Sequence, residues 1–523
     1  MRWFTSRSRQ DRQAAGGDDA FSAGPVEPVR ADTPKPGMRP DWAGLRGRAS
    51  GRPARLPQVD EFFGTSTQVC GGFWPFSTDM ELPVDGVPVG RSLASGSAVC
   101  CDPISWFKTG IIEQPSMFVM GLPAIGKSTF VRRQVWGMAA LGMNAIIPGD
   151  LKPDYAREVR LLGGQVISLG SGVGSINPLD PGDMHAALRR LSGRARDDLT
   201  ADWHERRKTV LEVILTVART GRASGSQTVT DVESNILATG LQVLHEHTAD
   251  AAVPPVIADL RDLISQGPDP VRAAAVFDAP DDDDAYREAT RDLLASLHGI
   301  ANPRGRFGRL FCEQTTEHID LSRPVDYDIS ALAQSGDAVV AATLAATWTS
   351  AFAAKAAADA LADAGLEPPR NHVIIMDEMH RALRASPMMV DSLDLLTRLN
   401  RQWGVGQIMI THTFADLMCL DSPAANAKAR GFVERSKIKV LGALSRAEVS
   451  RFLRAESGLP LSAREEDLLD DWATPTNFAA HASLKGVGRF LIKLGGLPGI
   501  PVGLELCDLE LGGFNDTNTK WHH

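Results

Sequence analysis

The run from Ser116 to Val131, SMFVMGLPAIGKSTFV, constrains this chain more than any other stretch. An apolar run of five, Ser116 to Met120, delivers the backbone to Gly121; four residues later come Gly126, Lys127 and Ser128, and then a helical pattern begins. This is phosphate-loop spacing, GxxxxGK[ST], between a strand and a helix. Such a loop wraps an anion with successive N–H groups, and the following helix aims its positive N-terminus at the same anion. The predicted nucleotide cradle is therefore Gly121, Leu122, Pro123, Ala124, Ile125, Gly126, Lys127, Ser128 and Thr129. Lys127 is expected to reach the β- and γ-phosphates of ATP, and the Ser128 hydroxyl to ligate Mg²⁺.

A second stretch supplies what the first lacks. The apolar run from His372 to Met376 ends on Asp377 and Glu378. An acid at such a strand end can hold Mg²⁺ through water or through Ser128, which is the role expected of Asp377, and Glu378 beside it can deprotonate the attacking water. Gln407 to His412 is another apolar run with polar residues at its carboxyl end, so Thr411 or His412 is placed to sense the γ-phosphate. Arg398, Arg401, Arg430 and Arg435 flank that strand; an arginine from a neighbouring subunit could stabilise transition-state charge.

The rest of the chain alternates in texture. Residues 1–55 mix Gly, Pro, Ser and Arg with little apolar periodicity and read as a disordered, Arg-containing tail. Residues 56–113 carry short apolar runs punctuated by Gly and Pro, expected as a small β-rich N-terminal module. Residues 114–180 and 301–523 show strands alternating with helices, which calls for a mainly parallel sheet with right-handed crossovers. Strands are expected at Asn144–Asp150, Gln165–Leu169 and Pro324–Ser330, with the α/β pattern resuming at Arg306–Phe311 and His318–Leu321 and a hairpin at the sheet edge near the C-terminus. Residues 181–300 show helical periodicity with almost no strand signal, an all-helical insertion. Asp150 ends its strand where α/β sheets keep their ligands, and a capping or loop role is its main reading. The acids Asp281 to Asp284 lack the glycines of a calcium loop and read as a solvated turn.

Composition excludes several classes. The 523 residues are 43% apolar and 23% charged, enough for two or three globular domains. A net charge of −9 argues against a large sequence-independent nucleic-acid surface and leaves local DNA contact open. Six cysteines without a CxxC pair read as reduced thiols. The N-terminus has no secretory pattern, and the most apolar long segment, Val339 to Ala354, is Ala-rich and shorter than a membrane span, so it is expected to be a buried helix. No transmembrane segment is expected, and the expected location is cytoplasmic, with peripheral attachment at the inner face of the membrane open.

GLPAIGKST, PGDLKPDY, INPLD, PVDYDIS, VIIMDE and RQWGVGQIMITHTFADL occur in an order that resembles the ATPases of type IV secretion and conjugation machines, within the HerA/FtsK superfamily. The resemblance is nearest to the soluble conjugative ATP-binding proteins of high-GC Gram-positive bacteria. It implies a RecA-like P-loop core, a homo-oligomeric hexameric ring, membrane-embedded secretion or conjugation components as partners, and DNA as a candidate partner. By position, Lys127, Ser128, Asp377 and Glu378 match the family's hydrolytic residues, and Arg401 its basic residue before the following strand. His412 stands where these families usually carry Gln, and Ala124 where they usually carry a loop Gly. The activity implied is ATP hydrolysis that drives transfer through the apparatus; the alternatives are a coupling-type or HerA/FtsK-like DNA translocase and a nucleotide-dependent assembly module without turnover.

Overall fold

A computed structural model describes residues 83–220, 227–248, 253–276, 278–379, 404–418, 423–450, 459–476 and 484–511, with the isolated positions 383, 390 and 420. Its centre is strand β3 (Ser116–Met120), every residue of which is buried. A strand covered on both faces can be continuously apolar, which is why Met117 to Met120 need no alternation. β3 pairs in parallel with β8 (Val405–Thr411) on one side and β9 (Ile438–Leu441) on the other. Beyond β8 the parallel order continues through β7 (His372–Met376), β4 (Asn144–Asp150), β6 (Val325–Asp328) and β5 (Gln165–Ser168).

The other side of β9 is antiparallel. β10 (Arg489–Leu494) pairs with β9 and with β11 (Ile500–Leu504), and β11 pairs with β1 (Pro88–Ser92), which pairs with β2 (Ala98–Cys100). The C-terminal hairpin is thus interior to the sheet, not at its edge: the N-terminal β1 and β2 cover the side expected to be free. Alternating pattern and turn residues show that two strands pair with each other; they carry no signal for the neighbour on the far side. A second difference concerns Arg306–Phe311 and His318–Leu321, which form turns and irregular chain. Their apolar residues Phe307, Leu310, Phe311, Ile319 and Leu321 are buried, so the runs mark core contacts made by side chains without a ladder.

Helix α1 (Pro103–Lys108) starts at Asp102, whose side chain accepts the Ile104 and Ser105 N–H groups. Helix α2 (Lys127–Ala140) follows the phosphate loop and buries Phe130, Val131, Gln134, Val135 and Met138. Helix α3 (Ala156–Leu161) links β4 to β5. Between β5 and β6 run α4 (Asp183–Arg190), α5 (Gly193–Arg219), α6 (Asp231–Thr248), α7 (Ile257–Gln266), α8 (Asp269–Ala275) and α9 (Asp283–Ala301). Asp282, from the acid run, caps α9 by accepting from Asp284 and Ala285 N–H, which accounts for an acid at that point without a metal. The long helix α10 (Asp337–Asp363) is apolar enough to cross a membrane by length and composition, but 78% of its most apolar window is buried in the protein. Ala353, Ala357 and Leu361 of α10 share a core with Met184 of α4 and Trp203 of α5, so α10 ties these helices to the sheet. Cys100 and Cys101 are buried free thiols, while Cys70 and Cys419 lie outside the described residues.

Candidate active site

The parallel strands end on one side of the sheet in a cleft of about 560 Å³, a volume in the range that holds a small molecule. Pro123, Ala124, Gly126, Lys127, Ser128 and Thr129 line it from the loop after β3; Thr411 and His412 from the end of β8; Asp377 and Glu378 from the end of β7; Lys152 and Asp154 from the turn after β4. Gly126 sits at φ +97° as the N-cap of α2, a left-handed conformation that favours glycine. Ala124 (φ +62°) and Glu378 (φ +49°) are the two non-glycine residues with positive φ among the described residues, and both face this cleft. Each such conformation costs on the order of 1–3 kcal/mol, held by its surroundings.

Gly121, Leu122 and Ile125 do not line the cleft. Ile125 is buried, and a Cβ on Gly121 would come within 2.4 Å of its Cδ1 and 3.1 Å of Gly442 Cα, so these residues pack the loop against the segment that directly follows β9. Leu122 N–H donates to Ala443 O at 2.9 Å. Gly488 N–H donates to Ile125 O at 3.0 Å, tying the β10 approach to the same loop.

Strand order sets the order of the polar groups. Lys127 Nζ donates to Gly121 O (2.7 Å), to Leu122 O (3.0 Å) and to His412 Nδ1 (2.9 Å). An ammonium has hydrogens only, so Nδ1 is the acceptor and the imidazole proton sits on Nε2. Nε2–H then donates to Glu378 Oε1 at 3.1 Å, and Lys152 Nζ meets the same oxygen from the other side. The chain of contacts Lys127, His412, Glu378, Lys152 reproduces the strand order β3, β8, β7, β4.

Burial alone would raise the Glu378 carboxyl, but hydrogen bonds from His412 and Lys152 outweigh it and hold the group well below the usual carboxylate range. Burial pushes Asp377 up, the Glu378 charge adds to this, and the Tyr155 hydroxyl, which donates to Asp377 Oδ2 at 2.9 Å, opposes it. Asp150 takes the capping role: its carboxylate accepts Lys152 N–H (3.2 Å) and Tyr155 N–H (2.8 Å) and shapes the turn that carries both side chains. Burial raises its pKa to about 7 despite those bonds.

The structure thus brings Lys127, Ser128, Asp377, Glu378, Thr411 and His412 to one cleft. Ser128 and Asp377 offer the hard oxygen donors that Mg²⁺ takes, and α2 directs its N-terminus at the cleft, so the residues fit a Mg²⁺-bound nucleoside triphosphate. Arg398 and Arg401 lie outside the described residues. Arg435 lies over the Phe432 ring and its carbonyl accepts from Ser116 Oγ, at the amino end of β3 and away from the cleft; Arg430 does not line the cleft either. Sequence reasoning gave no role to Lys152, Asp154, Tyr155 or Arg132, or to Val487 and Gly488, which also line or support the cleft. The LKPDY run carried the signal for three of them, without showing that the turn after β4 folds over β7.

No family model matches the chain, and no curated protein matches it. The fold is similar to that of VirB4 of Thermoanaerobacter pseudethanolicus, with a TM-score of 0.57 at 19% identity, covering 83% of this chain and 100% of that one. The plasmid coupling protein TrwB in complex with ADP and Mg²⁺ aligns with a TM-score of 0.45 at 12% identity, covering 85% of this chain and 94% of that one. The expected α/β fold, with its mainly parallel sheet and P-loop core, is the fold this chain has.

Proposed function

We propose that the chain is an ATP-hydrolysing motor subunit that energises the transfer of DNA or protein through a type IV secretion or conjugation apparatus. The observation that carries this reading is the convergence of Lys127, Asp377, Glu378 and His412 on one cleft at the carboxyl ends of β3, β7 and β8. The likeness of the fold to VirB4 supports the choice of apparatus.

In this reading Lys127 and the first N–H groups of α2 bind the phosphates, with the remaining loop residues fixing the backbone around them. Ser128 and Asp377 hold Mg²⁺, which when bound neutralises phosphate charge. Glu378, kept ionised by its partners, accepts a proton from the attacking water, and His412 orients it. Thr411 supports His412 from the last position of β8. The working form is a ring of six copies on the cytoplasmic face of a membrane-embedded complex, with an arginine such as Arg401 acting across the subunit boundary and DNA as a candidate cargo.

Purified full chain is expected to hydrolyse ATP in the presence of Mg²⁺, and Lys127→Ala to lower turnover by at least about 100-fold. Wild-type turnover in that variant would sink the proposal.

A further inference from the structure

Lys152 belongs to neither the phosphate loop nor the acidic strand end, yet it lines their common cleft. Its backbone is pinned. Asp150 accepts the Lys152 N–H and, five residues into the same turn, Asp150 and Asp377 each take a hydrogen bond from Tyr155. Its side chain is not: 59% of it is exposed, against 12% of the Glu378 side chain that it meets. Three carboxylates, Glu378, Asp377 and Asp154, act on its charge. An ion pair made by so exposed an ammonium is readily exchanged, because water and other anions can reach the lysine. Glu378 Oε1 also keeps a second donor, His412 Nε2–H, so it does not lose all support when Lys152 leaves.

Resting on the nucleotide-hydrolase reading above, we propose that Lys152 is a specificity-determining residue of this site, exchanging its ammonium between Glu378 and the terminal phosphate of a bound nucleoside triphosphate. A polyphosphate offers more charge and more acceptor oxygens than a single carboxylate, so it wins the ammonium when present. Two properties follow. The site prefers a triphosphate to a diphosphate by the contact that Lys152 adds, and Glu378 is relieved of one of the donors on Oε1 only when a triphosphate is loaded. A lysine that merely solvates the acid cluster would affect both nucleotides alike.

The test is equilibrium binding of ADP and of a non-hydrolysable ATP analogue, each with Mg²⁺, to the full chain. Lys152→Met is expected to weaken the analogue about tenfold, the size of one charge-assisted hydrogen bond, and to leave ADP within about twofold of wild type. Retained ADP binding is the check that the variant folds. Lys152→Arg keeps most of the preference, because a guanidinium also binds phosphate. Replacing the acid by Glu378→Gln strengthens analogue binding more in the wild-type background than in the Lys152→Met background, since only the former has an ammonium to release. Equal weakening for the two nucleotides, or none, overturns the proposal. Lys127→Ala separates this from the parent reading: if it binds both nucleotides as wild type does, the hydrolase reading fails. If it loses both while Lys152→Met changes neither, only the role of Lys152 fails.

Discussion

At the scale of single residues, His412 shows how a side chain acquires a direction from its neighbours. Lys127 can only donate and the ionised Glu378 can only accept, so the imidazole between them is held as an Nδ1 acceptor and Nε2–H donor. A glutamine amide carries the same pair of functions on one planar group. His412→Gln is therefore expected to keep kcat within a few-fold of wild type, whereas His412→Leu removes both contacts and lowers kcat by about ten- to a hundredfold. Steady-state turnover of the two variants, at matched nucleotide saturation, checks this; equal losses would show that the ring acts by packing. Ala124 is legible in part. That it departs from the usual glycine is visible in the sequence, but its φ of +62°, the feature that makes the departure costly, is a property of the folded loop.

At the scale of elements, the helices between β5 and β6 depend on one buried ion pair as well as on apolar faces. Arg219, at the end of α5, donates to both carboxylate oxygens of Glu233 on α6 at 2.9 and 2.6 Å, to Ser296 Oγ of α9 at 3.0 Å and to Thr228 O at 3.1 Å. Removing the acid leaves a buried guanidinium without its counter-charge, so Glu233→Ala should destabilise the protein by about 3–5 kcal/mol, read as a lowered denaturation midpoint. The double variant Arg219→Met with Glu233→Ala should recover part of that loss. Helical periodicity across residues 181–300 made these elements visible beforehand; the pairing of Arg219 with a residue on the next helix was not, because periodicity carries no signal for which charged side chains meet. Similarly, Phe307, Leu310 and Phe311 signalled burial correctly and strand structure wrongly, since apolar spacing reports which side chains leave water and not which backbone groups pair.

At the scale of the whole molecule, the sheet encloses Asp326 of β6, whose two carboxylate oxygens are buried and have no hydrogen-bond partner among the described residues. Burial raises its pKa well above the ordinary carboxylate value, and the charges of Asp150 and Asp328 add to this. A carboxyl whose folded pKa is raised contributes most below its unfolded pKa and loses that contribution as pH rises toward the folded value. The wild type should therefore lose stability relative to Asp326→Asn as pH is raised above about 4, a trend that unfolding temperatures measured across pH would show. Glu233 works in the opposite sense: burial is outweighed by its bonds to Arg219, its pKa is lowered, and its contribution is lost as pH falls. The phosphate loop, the acidic strand end and the alternation of strand and helix were determined by sequence alone, because each is a local pattern of backbone preference and side-chain chemistry. Which strands became neighbours was decided only by the tertiary structure. β8 enters between β3 and β7, and β4 lies beyond β7, although the chain visits them in the order β3, β4, β7, β8. That placement puts His412 between Lys127 and Glu378 and brings Lys152 to the far side of Glu378, contacts whose partners are 285, 34 and 226 residues apart in the chain. Residues that distant meet because the crossover connections of the parallel sheet bring strands together that are not consecutive in the chain.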